Sequence, residues 1–114
     1  MVLEMTSDRD ITIVMIPERL DANNAPGVEA DLKAILAGSP KKMILEFSKT
    51  EYIASAGLRV LLVITRDFLK SGGRVILVSL RPAVHRVFEM AGFTSIFTIS
   101  KSREEALQTM EDFE

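Results

Sequence analysis

The sequence predicts an α/β domain in which about four helices pack against a central, mostly parallel sheet of four or five strands. Three short apolar runs, at residues 11–16, 43–47 and 75–78, have the length and composition of buried strands. Segments with helical spacing of apolar residues separate these runs, and this alternation is typical of parallel sheets, because parallel strands need crossover connections. The 114 residues suffice for one domain, which we expect to span residues 1–114.

The first third of the chain predicts two strands and a helix. Residues 2–5 form a weaker edge strand, and the strand at 11–16 ends before Pro17. The first helix is marked by N-cap residue types at Asp21, Asn23 and Asn24, and by a proline suited to a first helical turn at position 26. Residues 38–40 end this helix. Its apolar residues recur at helical spacing: Ala25, Val28, Leu32, Ile35 and Leu36.

The remainder of the chain predicts three more helices. After a loop at 48–54, a second helix begins at Ser55 or Ala56, and the glycines at 72–73 end it. Pro82 opens a third helix, residues 96–99 form a short strand, and Ser102 caps a fourth helix. The expected inward-facing residues are, in the second helix, Leu58, Leu61, Leu62, Thr65, Phe68 and Leu69; in the third, Val84, Val87, Phe88 and Ala91; and in the fourth, Ala106, Leu107, Met110 and Phe113.

The composition argues against several classes of function. The chain has no cysteine and one histidine, so we expect no disulfide, no thiolate nucleophile and no metal site. The net charge is −2 and the basic residues form no stripe, which argues against nucleic-acid binding. No apolar run approaches the length of a membrane span, and the acidic N-terminal residues do not resemble a signal peptide. We therefore expect a cytoplasmic protein without membrane insertion.

The polar residues do not predict an enzyme. Ser55 is a candidate nucleophile, but the lone His85 falls opposite the apolar stripe of the third helix, where a solvated surface histidine is expected. Asp21 and Glu46 lie at element ends, where carboxylates usually cap helices or meet solvent. The two glycines at 72–73 follow a helix and precede a strand, the reverse of the order in phosphate-binding loops. We therefore predict no catalytic residues and no cofactor.

Residues 46–62, EFSKTEYIASAGLRVLL, run from a strand through a loop to a serine and a glycine that open an apolar helix. This segment resembles the STAS domain, a family named for sulphate transporters and anti-sigma-factor antagonists. The resemblance extends to Leu-Asp-Ala at 20–22, the glycines at 72–73, Met-Ala-Gly-Phe at 90–93 and Ile-Phe at 96–97, and to the Glu-Glu-Ala-Leu helix that follows. It therefore covers nearly the whole chain.

The resemblance implies an anti-sigma factor antagonist. Such a domain binds an anti-sigma factor that is also a serine kinase, and thereby frees a sigma factor. The kinase phosphorylates a serine at the start of the second helix, which is Ser55 here, the phosphorylated antagonist dissociates, and a phosphatase resets it. The family commonly has an aspartate before this serine and a second hydroxyl after it, where this chain has Ala54 and Ala56.

The position of Ser55 is physically suited to a charge switch. The N-terminus of a helix carries unpaired N–H groups and a partial positive charge, so a phosphate there is stabilised locally. The added charge of about −1.5 to −2 would repel a partner without a change of fold. The simpler alternative is that Ser55 is an ordinary N-cap.

We expect a partner surface around Ser55 on the second helix and the loop before the first. Its predicted residues are Asp21, Asn23, Ala54, Ala56, Gly57, Arg59, Val63 and Arg66. Arg59, Val63, Arg66 and Lys70 share one helical face, which could equally be an ordinary solvated face. Two other functions stay open, a scaffold subunit of a stress-signalling complex and a STAS subunit of a lipid-transport system. We expect a monomer or a weak dimer.

Overall fold

The computed structural model describes residues 3–112, which form seven strands and four helices. The strands are β1 (Met5–Asp8), β2 (Ile11–Met15), β3 (Arg19–Leu20), β4 (Lys42–Glu46), β5 (Tyr52–Ile53), β6 (Arg74–Val78) and β7 (Ile99–Ser100). The helices are α1 (Ala25–Leu36), α2 (Ser55–Lys70), α3 (Pro82–Met90) and α4 (Arg103–Glu111).

Five of the strands form one sheet in the order β1-β2-β4-β6-β7. The edge strand β1 runs antiparallel to β2, and the other neighbours are parallel. Ile13, Ile44 and Ile76 lie in register across the three central strands. The predicted α/β class, with a mostly parallel sheet and four helices, is confirmed.

The two faces of the sheet bury different helices. Apolar residues of α1, α2 and α3 pack on one face, where Phe47, Phe68 and Phe88 are fully buried. The rings of Phe47 and Phe88 meet edge to face, with their centroids 6.3 Å apart. The helix α4 covers the other face, where Ile11, Ile13, Ile44, Ile76 and Val78 meet Ala106, Leu107 and Met110. All four helices are therefore fixed by apolar burial.

An ion pair connects the start of α4 to the sheet. Glu46 is 4% exposed, and its Oε1 lies 3.3 Å from Nε of Arg103, the first residue of α4. The hydroxyl of Ser102 accepts a hydrogen bond from the N–H of Glu105, as the capping pattern predicts. The carboxylate of Glu46 therefore has a structural role, as the partner of Arg103.

The structure differs from the sequence prediction in the bounds of two strands and in the burial of two residues. The edge strand begins at Met5, and Val2 and Phe113 lie outside the described residues. The last strand contains only Ile99 of the predicted 96–99, because the N–H groups of Ile96 and Phe97 turn back to the carbonyl of Phe93. The predictions of inward-facing Leu69 and Ala91 are wrong: Leu69 is 44% exposed, and Ala91 is an exposed C-cap residue.

Within residues 3–112, no helix has the length and apolar character that crossing a membrane requires.

Candidate functional site

Two very short strands bring the starts of α1 and α2 together. Residues 52–53 were predicted to lie in a loop and β3 was not predicted, yet β3 and β5 pair in parallel, with Leu20 opposite Ile53. The N–H of Ala54 donates to the carbonyl of Leu20 at 2.9 Å. Since β3 leads into α1 and β5 leads into α2, this pairing sets the two helix N-termini side by side.

Gly57 is required for this close approach. A Cβ atom built at Gly57 would lie 2.6 Å from Cγ of Leu20 and 2.8 Å from the carbonyl oxygen of Leu20. Neither distance is compatible with a side chain, so the first turn of α2 can pack on β3 because residue 57 is a glycine. The glycine in the segment that resembles the STAS domain thus has a packing role.

Ser55 is the first residue of α2 and is exposed. The N-cap is Ala54, which has no side-chain acceptor, so the alternative that Ser55 is an ordinary N-cap is wrong. Within residues 3–112, neither the hydroxyl of Ser55 nor the N–H groups of Ser55 and Ala56 have a hydrogen-bond partner. The helix therefore presents two unsatisfied donors beside an accessible hydroxyl.

The loop beside Ser55 is ordered by Asp21 and Asn24. Oδ1 of Asp21 accepts from the N–H groups of Asn23 and Asn24 at 3.0 and 3.4 Å. Asn24 accepts from the N–H of Asp21 at 2.9 Å and donates to the carbonyl of Arg19. These reciprocal contacts close the turn that starts α1.

The carboxyl group of Asp21 is held in its charged form. Desolvation raises its pKa, but hydrogen bonds from Nε of Arg19 and from the N–H groups of Asn23 and Asn24, with the charge of Arg19, outweigh this effect. The pKa of Asp21 therefore lies below its ordinary value of 3.8. At neutral pH this residue adds a negative charge to the loop before α1.

The basic residues on α2 differ in how their charges are balanced. Arg59 lies 3.6 Å from Glu29 on α1, which also pairs with Lys33. Val63 is half-buried, whereas Arg66 is exposed and has no ion-pair partner within residues 3–112. Lys70 is likewise exposed and without an ion-pair partner among residues 3–112, so the unpaired positive charges of the predicted face are those of Arg66 and Lys70 rather than that of Arg59.

Sequence analysis missed three exposed apolar residues near these elements: Tyr52, Leu69 and Ile96. The guanidinium of Arg19 stacks over the Tyr52 ring, 4.5 Å from its centroid. Leu69 and Ile96 line a cleft of about 220 Å³ with Leu62, Thr65 and Arg66. Tyr52 is exposed because Ile53 is buried and successive strand residues point in opposite directions, and this could not be predicted while residues 52–53 were assigned to a loop.

Other polar residues do not gather at Ser55. His85 is 41% exposed and lies 3.5 Å from Glu89 on its own helix, as expected of a surface histidine. Among residues 3–112, no cluster of histidine, aspartate and glutamate side chains could hold a metal ion. The described site contains a hydroxyl, helix donors and one ionised carboxylate.

Comparison with known proteins assigns this arrangement to a family. The model of the STAS domain matches residues 2–106. The chain belongs to the STAS domain family. The family of STAS anti-sigma antagonists is generally non-enzymatic.

Individual known proteins resemble this chain over nearly their full lengths. BtrV of Bordetella bronchiseptica, which carries the name of an anti-sigma factor antagonist, is 35% identical over 106 residues, 91% of each chain. The crystal structure of a Thermotoga maritima protein described in the same way has a TM-score of 0.89 and 26% identity, and the match covers 96% of this chain and 94% of that one. SpoIIAA of Bacillus in its phosphorylated form shares the fold, with a TM-score of 0.70 and 22% identity over 96% of this chain and 99% of that one.

The contact between Gly57 and Leu20 predicts a large cost for a single added methyl group. We expect Gly57→Ala to lower the free energy of unfolding by about 1–3 kcal/mol, because the first turn of α2 must move away from β3. Urea denaturation measures the change. Gly38→Ala is the control, since its Cβ would lie at 3.4 Å from the nearest atom, the carbonyl oxygen of Ile35. Equal stability of the Gly57 variant and the wild type would contradict the packing role.

The hydrogen bond from Arg19 predicts how Asp21 titrates. We expect Arg19→Met to raise the pKa of Asp21 towards 3.8 without reaching it, because the two backbone donors remain. A lowered pKa means that the ionised carboxylate stabilises the fold above pH 3.8 and that this contribution is lost as the pH falls through the lowered value. Titration of the Asp21 carboxyl carbon by NMR measures the pKa in both proteins. An unchanged value would show that Arg19 has no part in it.

Proposed function

We propose that this protein is an anti-sigma factor antagonist whose affinity for its partner is switched by phosphorylation of Ser55. The partner is an anti-sigma factor with serine kinase activity, and its capture releases a sigma factor. A phosphatase returns the protein to its binding form. The observation that carries the proposal is the exposed, unbonded hydroxyl of Ser55 on the first turn of α2.

The surroundings of Ser55 support modification at this residue. Ser55 is exposed and lies between the small residues Ala54 and Ala56 in the chain, so its hydroxyl is accessible to a kinase. The free N–H groups of Ser55 and Ala56 can donate to phosphate oxygens, and the helix dipole favours a negative charge there. SpoIIAA, which shares the fold, is known in a phosphorylated form, so the fold itself is compatible with a phosphate.

Electrostatics explains how a phosphate would release the partner. The modification adds about −1.5 to −2 charges beside a loop that already contains ionised Asp21. A partner surface shaped around a neutral hydroxyl would then face both an uncompensated charge and a desolvation cost. Dissociation therefore needs no change in the backbone.

The binding surface extends from Ser55 along α2. Its predicted members are Asp21, Asn23, Ala54, Ala56, Arg59, Val63 and Arg66, whereas the predicted Gly57 is buried and contributes through the packing of α2 on β3. To these we add Leu69 and Ile96, which are 44% and 49% exposed beside Arg66. Exposed apolar side chains bordered by an unpaired guanidinium are suited to a partner with apolar and acidic residues.

Binding measurements on two Ser55 variants test the switch. We expect Ser55→Ala to bind the kinase-type anti-sigma factor as the wild type does, because Ser55 makes no side-chain hydrogen bond. We expect Ser55→Asp to bind at least about tenfold more weakly, since an unpaired charge placed in an interface costs about 2 kcal/mol or more. Thermal melts of both variants should match the wild type, because a negative charge is tolerated at a helix N-terminus.

A matched control separates position from charge. Ser7→Asp adds the same charge at an exposed serine of the edge strand β1, outside the proposed binding surface, and should bind normally. Mass spectrometry after incubation with the kinase and ATP should find one phosphate, at Ser55. Full affinity of Ser55→Asp, or a phosphate on another residue, would refute the switch.

A further inference from the structure

A second cleft lies between the edge strand β1 and the helix α1. Its volume is about 480 Å³, and its lining residues are Leu3, Met5, Asp31, Ala34 and Ile35. Four of these five are apolar, and Met5 is 56% exposed. The cleft shares no residue with the surface proposed for the anti-sigma factor.

Asp31 supplies the unusual chemistry of this cleft. Its Oδ2 atom is buried and has no hydrogen-bond partner. A carboxylate oxygen buried without a hydrogen-bond donor is costly, so a donor that reached Asp31 would be favoured. Asp31 as a whole is partly exposed and lines the cleft, so a ligand there can reach its carboxyl group.

The cations near α1 do not satisfy Asp31. Lys33 and Arg59 both pair with Glu29, at 3.3 and 3.6 Å. Within residues 3–112, Asp31 takes part in no ion pair and no side-chain hydrogen bond. The cleft therefore combines apolar walls with one uncompensated negative charge.

We propose that this cleft is a binding site for a small organic amine that carries an apolar body. The ammonium group would donate to Asp31, and the apolar body would lie against Leu3, Met5 and Ile35. Ligand sites typically enclose about 300–1,000 Å³ and combine apolar walls with few, well-placed polar groups, and this cleft has both properties. A charged donor is favoured over a neutral one because hydrogen bonds between ions are the stronger kind.

An NMR titration with n-hexylamine tests the site in the whole protein. We expect millimolar binding, reported by shifts of the Leu3, Met5, Ala34 and Ile35 signals. The isosteric anion hexanoate should cause none, because its carboxylate would meet that of Asp31. Asp31→Asn, which keeps the side-chain shape, should weaken hexylamine binding by about tenfold, the effect of losing a charged hydrogen bond.

Two controls make the outcome decisive. Asp67→Asn removes the same charge from an exposed position on α2 and should bind hexylamine as the wild type does. The peptide acetyl-Val-Lys-Val N-methylamide tests the other source of an ammonium group, a partner strand added to the outer edge of β1. The absence of hexylamine shifts at the cleft, equal binding by hexanoate, equal binding by Asp31→Asn, or binding of the peptide alone would each overturn the proposal.

Discussion

The contact between Leu20 and Gly57 is the constraint on which the functional end of this molecule depends. It allows the first turn of α2 to approach β3 closely enough for Ala54 to donate to the carbonyl of Leu20. The same strand leads directly into the turn closed by Asp21 and Asn24. The hydroxyl of Thr50 donates to the carbonyl of Pro17 at 2.9 Å and so connects the segment before β5 to the segment before β3. One glycine and a few backbone contacts therefore join two loops, distant in sequence, into one surface.

In the proposed switch, folding and regulation depend on different groups. The sheet and its two apolar faces bury the residues that stabilise the domain, whereas the hydroxyl of Ser55 and the donors beside it contribute no contact to that core. A charge can therefore be added at Ser55 without a cost to the fold, and its effect falls on whatever binds there. The lack of a capping side chain at Ala54 reinforces this arrangement, because no internal acceptor competes with a phosphate for the helix donors.

The sequence was sufficient for features that depend on local patterns. The buried strands, the four helices, the cap at Ser102 and the start of α2 all follow from periodicity and turn chemistry. Features that depend on distant partners were not predictable: β3 and β5 have two residues each and exist only as a pair. The pairing of Arg59 with Glu29 likewise joins two helices. The exposure of Ile96 depends on a turn that returns to the Phe93 carbonyl, which apolar spacing alone does not reveal.

We predict that a phosphate on Ser55 changes the surface charge while the fold stays the same. Protein with phosphoserine incorporated at position 55 tests it most directly, through comparison of its backbone amide NMR spectrum with that of the unmodified protein. We expect shifts confined to the first turn of α2 and the adjoining Asp21 loop, with downfield movement of the Ser55 and Ala56 amides as they donate to the phosphate. Shifts spread through the central strands, or an unchanged Ala56 amide, would contradict it.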